Sequence, residues 1–298
     1  MNTAPSTFIR VVEVWVPDRD HLLLEFGGGV YGAARRFGAK SAAMCFGRGE
    51  GLPGRAWEEG RPIVLPRLDE ASGFRRTALA QADGLTSGIA MPVFSGDALK
   101  AVLLIFCGDD EHSAGAIELW HNDPAVSREM TLADGCYGRT GEAFEFISRR
   151  TSFGKGTGLP GLAWQSQMPV FMPDLGKGGR FLRADSAQQV GINRGFAFPC
   201  AARGAGTWVL AFLSALATPI VRRLEIWSVE GGTLHLAEGF CETDGVLAAG
   251  ARPALTADDE LIGRVAADAV PRASDALRVA ALPVLREGRV ASVIAWHF

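Results

Sequence analysis

The sequence is poor in the features that announce most kinds of chemistry. Only five of 298 residues are cysteine, Cys45, Cys107, Cys136, Cys200 and Cys241, odd in number and widely spread. No Cys-x-x-Cys or metal spacing joins them, which argues against a zinc module. Scattered thiols of this kind suit a reducing compartment, the cytoplasm. No Gly-x-Ser-x-Gly, His-Glu-x-x-His or P-loop string occurs. Gly27-Gly28-Gly29-Val30 is followed by no lysine, so it is read as a turn and not as a phosphate cradle. Net charge is −3, which supplies no basic face for nucleic acid or an anionic membrane. The opening MNTAPSTFIR lacks the basic and apolar regions of a signal peptide. The longest apolar stretch, residues 208–221, contains Ser214, Thr218 and Pro219. It falls short of the roughly 20 residues a membrane helix needs, so it reads as a core strand running into a connector. His21, His112, His121, His235 and His297 fall in turns, connectors or at the C-terminus, which predicts surface positions and no metal or haem.

What the sequence does have is repetition. GEGLPGRAWEEGRPIVLP (49–66) returns as GTGLPGLAWQSQMPVFMP (156–173). The spacing is 107 residues and holds from Phe46 and Phe153 to Pro92 and Pro199. Between those limits Trp57 meets Trp164, Pro62 meets Pro169, Phe74 meets Phe181 and Gly84 meets Gly191. Upstream the offset drifts slightly: Tyr31-Gly32 meets Tyr137-Gly138, and Glu13-Val14-Trp15 meets Glu118-Leu119-Trp120. A third start appears at Glu225-Ile226-Trp227. A period this long is a whole domain, not a solenoid repeat. The expected units are 1–112, 113–220 and 221–298. The third is short. From Pro62 to Pro92, and from Pro169 to Pro199, are 30 residues; from Pro271 to Pro283 are 12. The missing stretch is the one that carries Phe74 and Phe181, and Ala266 stands where the tryptophan was.

Within a unit, FIRVVEVWV and HLLLEFGG read as strands joined by a polar turn. Pro53 suits the first turn of a helix and Gly60 its stop. RPIVLP is a short strand, residues 70–82 a helix or lid, and residues 87–108 a hairpin turning at Ser95-Gly96-Asp97. The fold class is α+β: antiparallel sheets, each with helices and a lid on one side.

The string Gly-x-Gly-Leu-Pro-Gly-x-x-Trp, followed by Pro62, Phe74, Gly84 and Met91-Pro92, resembles the GAF domain of bacterial sensor proteins. It stands twice in full and once in decayed form. The resemblance implies sheets of five or six antiparallel strands with a small-molecule pocket between sheet and lid. By position, that pocket would be lined in unit 1 by Phe46, Trp57, Phe74, Arg75, Ser87 and Met91. In unit 2 it would be lined by Phe153, Trp164, Phe181, Arg183, Asn193 and Phe198. Trp57 and Trp164 read more readily as core plugs, and Arg75 or Arg183 as exposed lid residues sooner than as holders of an anionic ligand. The resemblance implies a cytoplasmic ligand-binding or sensory module without its own output domain. Such a module acts through a signalling protein partner or as a homodimer, with no cofactor. Two alternatives stand beside it. One is an enzyme like the branch that reduces free methionine sulfoxide through clustered cysteines, although Ser152 and Ser214 replace Cys45 and Cys107 in unit 2. The other is a scaffold whose pockets are filled by side chains. No Cys-His pair for a bilin and no Asn-Lys-x-x-Asp/Glu motif for a cyclic nucleotide is present. An unlidded third sheet would need covering by another unit or a second protomer.

Overall fold

The computed structural model describes residues 7–108, 115–138, 140, 142–177, 179–258 and 260–298. The expected boundary between units 1 and 2, and His112, lie outside them. Strands gather into three separate six-stranded antiparallel sheets. The first comprises β1 (Ile9–Pro17), β2 (Leu23–Val30), β3 (Cys45–Gly47), β4 (Ile63–Leu65), β5 (Ser87–Ser95) and β6 (Ala98–Cys107). Its order is β3-β2-β1-β6-β5-β4. Helices α1 (Arg35–Ser41), α2 (Gly51–Glu59) and α3 (Thr77–Ala82) belong to this unit.

The second unit repeats the plan. Its strands are β7 (Gly115–Asn122), β8 (Met130–Cys136), β9 (Ser152–Phe153), β10 (Val170–Met172), β11 (Arg194–Cys200) and β12 (Thr207–Ser214). Its helices are α4 (Glu142–Arg150), α5 (Gly158–Ser166) and α6 (Ala184–Gln189). The third has β13 (Arg223–Glu230), β14 (Thr233–Cys241), β15 (Gly245–Leu247), β16 (Arg272–Ser274), β17 (Val279–Arg286) and β18 (Arg289–His297), with α7 (Glu260–Asp268). Its sheet order, β15-β14-β13-β18-β17-β16, is equivalent to that of the first. Only residues 275–278 separate β16 from β17. The third sheet is therefore whole, and the residues absent from its sequence are those that form the lid elsewhere.

The repeated Gly-Leu-Pro-Gly turn has a steric origin. Gly51 and Gly158 take the left-handed region at φ +58° and +63°, which favours glycine. The second glycine of the motif brings the first turn of α2 or α5 onto a backbone carbonyl. A Cβ on Gly54 would overlap the Gly47 oxygen, and one on Gly161 the Gly154 oxygen. Gly263 in α7 lies in the same way on Thr256. The third copy has lost the proline and the tryptophan but has kept this contact.

Gly27–Val30 is part of β2 and not the turn its glycines suggest. The pairing shifts register between Val14 and Trp15, and again between Leu119 and Trp120 and between Ile226 and Trp227. A bulge of this kind places extra backbone in one strand. Opposite each glutamate lies a glycine: Glu13 pairs with Gly29, Glu118 with Gly135 and Glu225 with Gly239. At Gly29 and Gly135, any Cβ would strike the ring of Tyr31 or Tyr137.

The sheets are covered on both faces. Along β6, Val102, Leu104 and Phe106 enter the lid-side core of unit 1. Leu103, Ile105 and Cys107 enter a different core. Along β12, Val209, Ala211 and Leu213 face the lid of unit 2, while Leu210 and Phe212 join that same second core. Unit 3 adds Leu282, Val284, Ile294 and Trp296 to it. All three sheets thus pack their far faces into one central core. Trp296 meets Phe198 and Phe212, each at 6.2 Å between ring centroids.

The three units close into a ring. The fourth strand of each unit packs on the second strand of the next: β4 on β8, and β16 on β2. Between units 2 and 3, Phe171 of β10 meets Phe240 of β14 at 5.4 Å, and Arg194 pairs with Glu242. Asp275 of unit 3 accepts the Tyr31 and Gly32 N–H groups of unit 1 at 2.8 and 3.3 Å. Arg203 of unit 2 donates its N–H to the Gly60 carbonyl at 2.7 Å and lies over Phe94.

The lid-side face of the third sheet is not open. Helix α7 and the segment 248–258 lie on it, with Leu255, Ile262 and Val265 packed on Trp227 and Ala295. Leu255 exchanges backbone hydrogen bonds with Leu234 at 2.8 and 2.9 Å. The expected need for an outside cover is met by this segment of the unit itself.

Candidate functional site

Each unit opens with a glutamate inside an apolar strand, and all three are fully buried: Glu13, Glu118 and Glu225. A buried carboxylate requires a counter-ion and filled hydrogen-bonding positions. The indole N–H of the tryptophan two residues on, on the same strand face, supplies one donor. These bonds are 3.1 Å from Trp15, 3.0 Å from Trp120 and 3.0 Å from Trp227.

In units 1 and 2 the lid supplies the counter-ion. Arg76, just before α3, donates to Glu13 through Nη1 at 2.6 Å and Nη2 at 3.1 Å. Arg183, just before α6, does the same to Glu118 at 2.5 and 2.7 Å. Both arginines are 4 % exposed. Ser41 of α1 donates to Glu13 at 2.6 Å and accepts from Arg76. Ser148 of α4 accepts from Arg183 in turn. Tyr31 and Tyr137 donate their hydroxyls to the two glutamates at 3.2 and 3.1 Å. Aromatic faces enclose each guanidinium: Phe37, Phe106 and Phe74 lie 4.2, 5.3 and 5.4 Å from that of Arg76. Phe144, Phe181 and Trp120 lie 5.1, 5.2 and 5.3 Å from that of Arg183.

The charges tune one another. Burial alone pushes the Glu118 carboxyl up. The Arg183 guanidinium, with donors Ser148 and Trp120, outweighs it and holds the group below the usual carboxylate range. Tyr31 and Tyr137 are pushed up, first by burial and then by the adjacent glutamate, and so remain protonated donors.

Unit 3 has no lid arginine. Arg252, from the segment 248–258, reaches Glu225 instead, with Nη1 at 3.1 and 3.0 Å from the two oxygens. Arg223 donates at 2.6 Å, and His297 Nε2 lies 3.3 Å away. Burial raises the Glu225 carboxyl, but His297, Arg252 and Arg223 bring it down to about 2 from 4.5. A carboxyl depressed on folding stabilises the protein above its unfolded value and loses that effect as pH falls through the folded one. Stability should therefore decline from pH 4.5 towards 2. Acid titration monitored by tryptophan fluorescence should show a shallower decline over that interval in Glu225→Gln.

Of the residues expected to line a pocket, the structure sets Phe46, Phe74 and Arg75 around one small space in unit 1 and places others apart. Phe46, Trp57 and Phe74 pack in the lid-side core of unit 1, with Trp57 half-buried. Phe153, Trp164 and Phe181 do so in unit 2, Trp164 being 6 % exposed. Met91 and Phe198 point to the other side, into the central core. Ser87 alternates in phase with Ile89 and Met91 and shares their face. Asn193 precedes β11, and its side-chain oxygen is buried. Arg75 is 57 % exposed and pairs with Glu50 at 2.6 Å. The partner of Arg183 in the repeat is Arg76, 107 residues before it, and not Arg75. Arg183 itself is interior rather than on the lid surface.

The missed residues are Glu13, Ser41 and Arg76 in unit 1 and Glu118 and Ser148 in unit 2; Arg183 alone of the set is among the expected ones. A signal existed for them. Glu-x-Trp recurs within an apolar strand at each of the three starts, and a charge there demands a partner.

Between sheet and lid in unit 1, the space bordered by Phe46, Leu52, Phe74, Arg75 and Arg76 holds about 10 Å³, and an adjoining one lined by Leu52, Arg55, Leu65, Ser72 and Phe74 holds about 200 Å³. A roomier cleft of about 470 Å³ lies at the surface of unit 2, lined by Asn122, Arg128, Lys155, Trp164 and Thr207 among others. Lys155 Nζ is 5.2 Å from the Trp164 ring centroid. None of the five cysteines forms a disulfide, and burial raises the Cys200 thiol to about 12. Among the described residues no cluster of His, Cys, Asp or Glu could hold a metal. Nor is any helix there long and apolar enough to cross a membrane.

No family model matches the chain, and no curated protein does. Solved structures do. A GAF domain of Aquifex aeolicus NLH2 in an inactive state is 23% identical over 35% of this chain and 60% of its own, with a TM-score of 0.28. A structure described as that of the GAF domain is 21% identical over 35% of this chain and 54% of its own, TM-score 0.28. The fRMsr of Staphylococcus aureus, in complex with substrate, is 22% identical over 35% of this chain and 61% of its own, TM-score 0.26. The chain thus spans between about half and three-fifths of the length of these structures. The GAF domain, which the repeated Gly-Leu-Pro-Gly segment resembles, is also the family of the solved structures to which the chain is similar.

Proposed function

We propose that this chain is a non-enzymatic scaffold of three tandem GAF-like domains, divided near residues 112 and 220, the third truncated by loss of its lid. It acts through its outer surface on a protein partner. One observation carries this reading: the space under each full lid is occupied by the protein's own arginine, bound bidentately to a buried glutamate inside an aromatic box. Beside that guanidinium in unit 1 about 10 Å³ is left, no more than one water requires. A thiol raised as far as that of Cys200 is a poor nucleophile at neutral pH, which weighs against a reductase working through that residue. Five cysteines outside any disulfide support a reducing compartment, the cytoplasm. Native mass spectrometry after gentle purification should give the 31.7 kDa chain without added mass. A retained metabolite would overturn the reading.

A second reading, a small-molecule sensor, is favoured by the cleft at Trp164. Its two cations and indole suit a small anionic aromatic molecule. A mass retained by the wild type and lost in a folded Lys155→Glu variant would decide for it.

A further inference from the structure

Units 1 and 2 share an interior but differ on one surface. Helix α4 turns Phe144 and Ser148 inward. Its outer side carries Glu142, Phe146 and Arg150, spaced four apart, which sets them in one stripe along the helix. Phe146 is 55 % exposed, and Ile147 is exposed next to it. Leu182, one residue before the arginine that bonds Ser148, is 56 % exposed. The same positions 107 residues earlier are Arg35, Ala39 and Ala43 for the stripe, Lys40 for Ile147 and Arg75 for Leu182. Where unit 1 is short or charged, unit 2 is apolar, so the shared fold does not require the patch.

The order of charges along the stripe selects what covers it. Helix α4 is acidic in its first turn, at Glu142 and Glu145, and basic in its last, at Arg149 and Arg150. Phe146 lies at its midpoint. A second α4 laid antiparallel, on a twofold axis through Phe146, puts Glu142 of each copy opposite Arg150 of the other and brings the two rings together. A parallel copy would oppose like charges. The stripe is thus complementary to itself. In the single chain, Arg150 covers Phe146 with its guanidinium 3.5 Å from the ring centroid.

We propose that α4 is a homodimerisation surface, on which two copies of the chain meet antiparallel about Phe146. This stands whether or not the lid spaces bind ligand. Two nine-residue helices bury less than the roughly 1,200 Å² of a standard interface, so the dimer is weak and concentration-dependent.

Sedimentation velocity over a concentration series tests it. The wild type should move from 31.7 kDa towards twice that mass, and Phe146→Asp should stay monomeric. Glu142→Arg and Arg150→Glu should each weaken association by about tenfold at low salt, and the two together should restore it. Val126→Asp, at an exposed apolar residue outside the stripe, should dimerise like the wild type. A wild type that stays monomeric throughout, or a Phe146→Asp protein as dimeric as the wild type, would overturn the proposal. So would failure of the charge-swapped double variant to recover. Should Phe146→Asp misfold by circular dichroism, the charge series decides alone.

Discussion

Arg183→Ala is expected to destabilise the protein by about 3–5 kcal/mol, far more than loss of a surface cation. Glu118, at 0 % exposure, would keep its charge without a partner. The indole of Trp120 and the hydroxyls of Tyr137 and Ser148 cannot replace a bidentate guanidinium. The loss has a pH signature. In the wild type the Glu118 carboxyl is held low, so its contribution is present above the ordinary value of 4.5 and fades below it. Without Arg183, burial raises the same carboxyl, and protonation relieves the unpaired charge. The gap between variant and wild type should therefore narrow in urea titrations as pH falls towards 4.5. Methylguanidinium should restore part of the melting temperature of Arg183→Ala and leave that of the wild type unchanged, since the aromatic box is full only in the latter. Replacing Glu118 and Arg183 together by methionine should recover most of the stability, because two apolar side chains leave no stranded charge. An Arg183→Ala protein with native stability would refute this account of the interior.

Removing residues 221–298 is expected to leave no stable two-unit protein. The deletion takes Leu282, Val284, Ile294 and Trp296 out of the central core. It uncovers Phe198 and Phe212 of the second sheet, which meet Trp296. Each large side chain so exposed forfeits about 1.5–3 kcal/mol, and a domain's whole stability is about 5–15 kcal/mol. The first unit also loses β16 from the side of β2, and Asp275 from the Tyr31 and Gly32 N–H groups. The product should aggregate or bind a hydrophobic dye strongly. The milder probe is Trp296→Ala, which should cost about 3–5 kcal/mol and lower a single transition seen alike by near-ultraviolet dichroism and calorimetry. A soluble fragment of residues 1–220 with a cooperative melt near that of the full chain would show that the sheets fold independently.

Much of this architecture was legible in the residues. The 107-residue offset relates α2 of the first unit to α5 of the second, and Gly60 marked the stop of α2, with φ of +66° in the structure. The hairpin at 95–97 joins β5 to β6 as read. What escaped was the far side of the sheets. AVLLIFC (101–107) and WVLAFLS (208–214) carry no polar alternation, which is the mark of strands buried on both faces. One lid accounts for only half of such a strand. The central core was thus written in two apolar runs, but nothing local said which units would share it. The interior was misread for a related reason. Arginine in a lid suggests an exposed or ligand-holding residue, and its destination was decided by Glu118, 65 positions away. The register of the repeat held the correct pair, Arg76 and Arg183. Arg252 was beyond reach, since it meets Glu225 from a segment without a counterpart in the other units.

The closed ring also disposes of the sheet edges. Three open six-stranded sheets have six edge strands, each a row of unpaired backbone groups able to recruit another chain. Three of them, β4, β10 and β16, face the neighbouring unit within the ring. The other three, β3, β9 and β15, have three, two and three residues, too few to template a growing ladder. Among the described residues none of the six edge strands exceeds three residues, so eighteen strands come together without a long edge strand for amyloid-like addition.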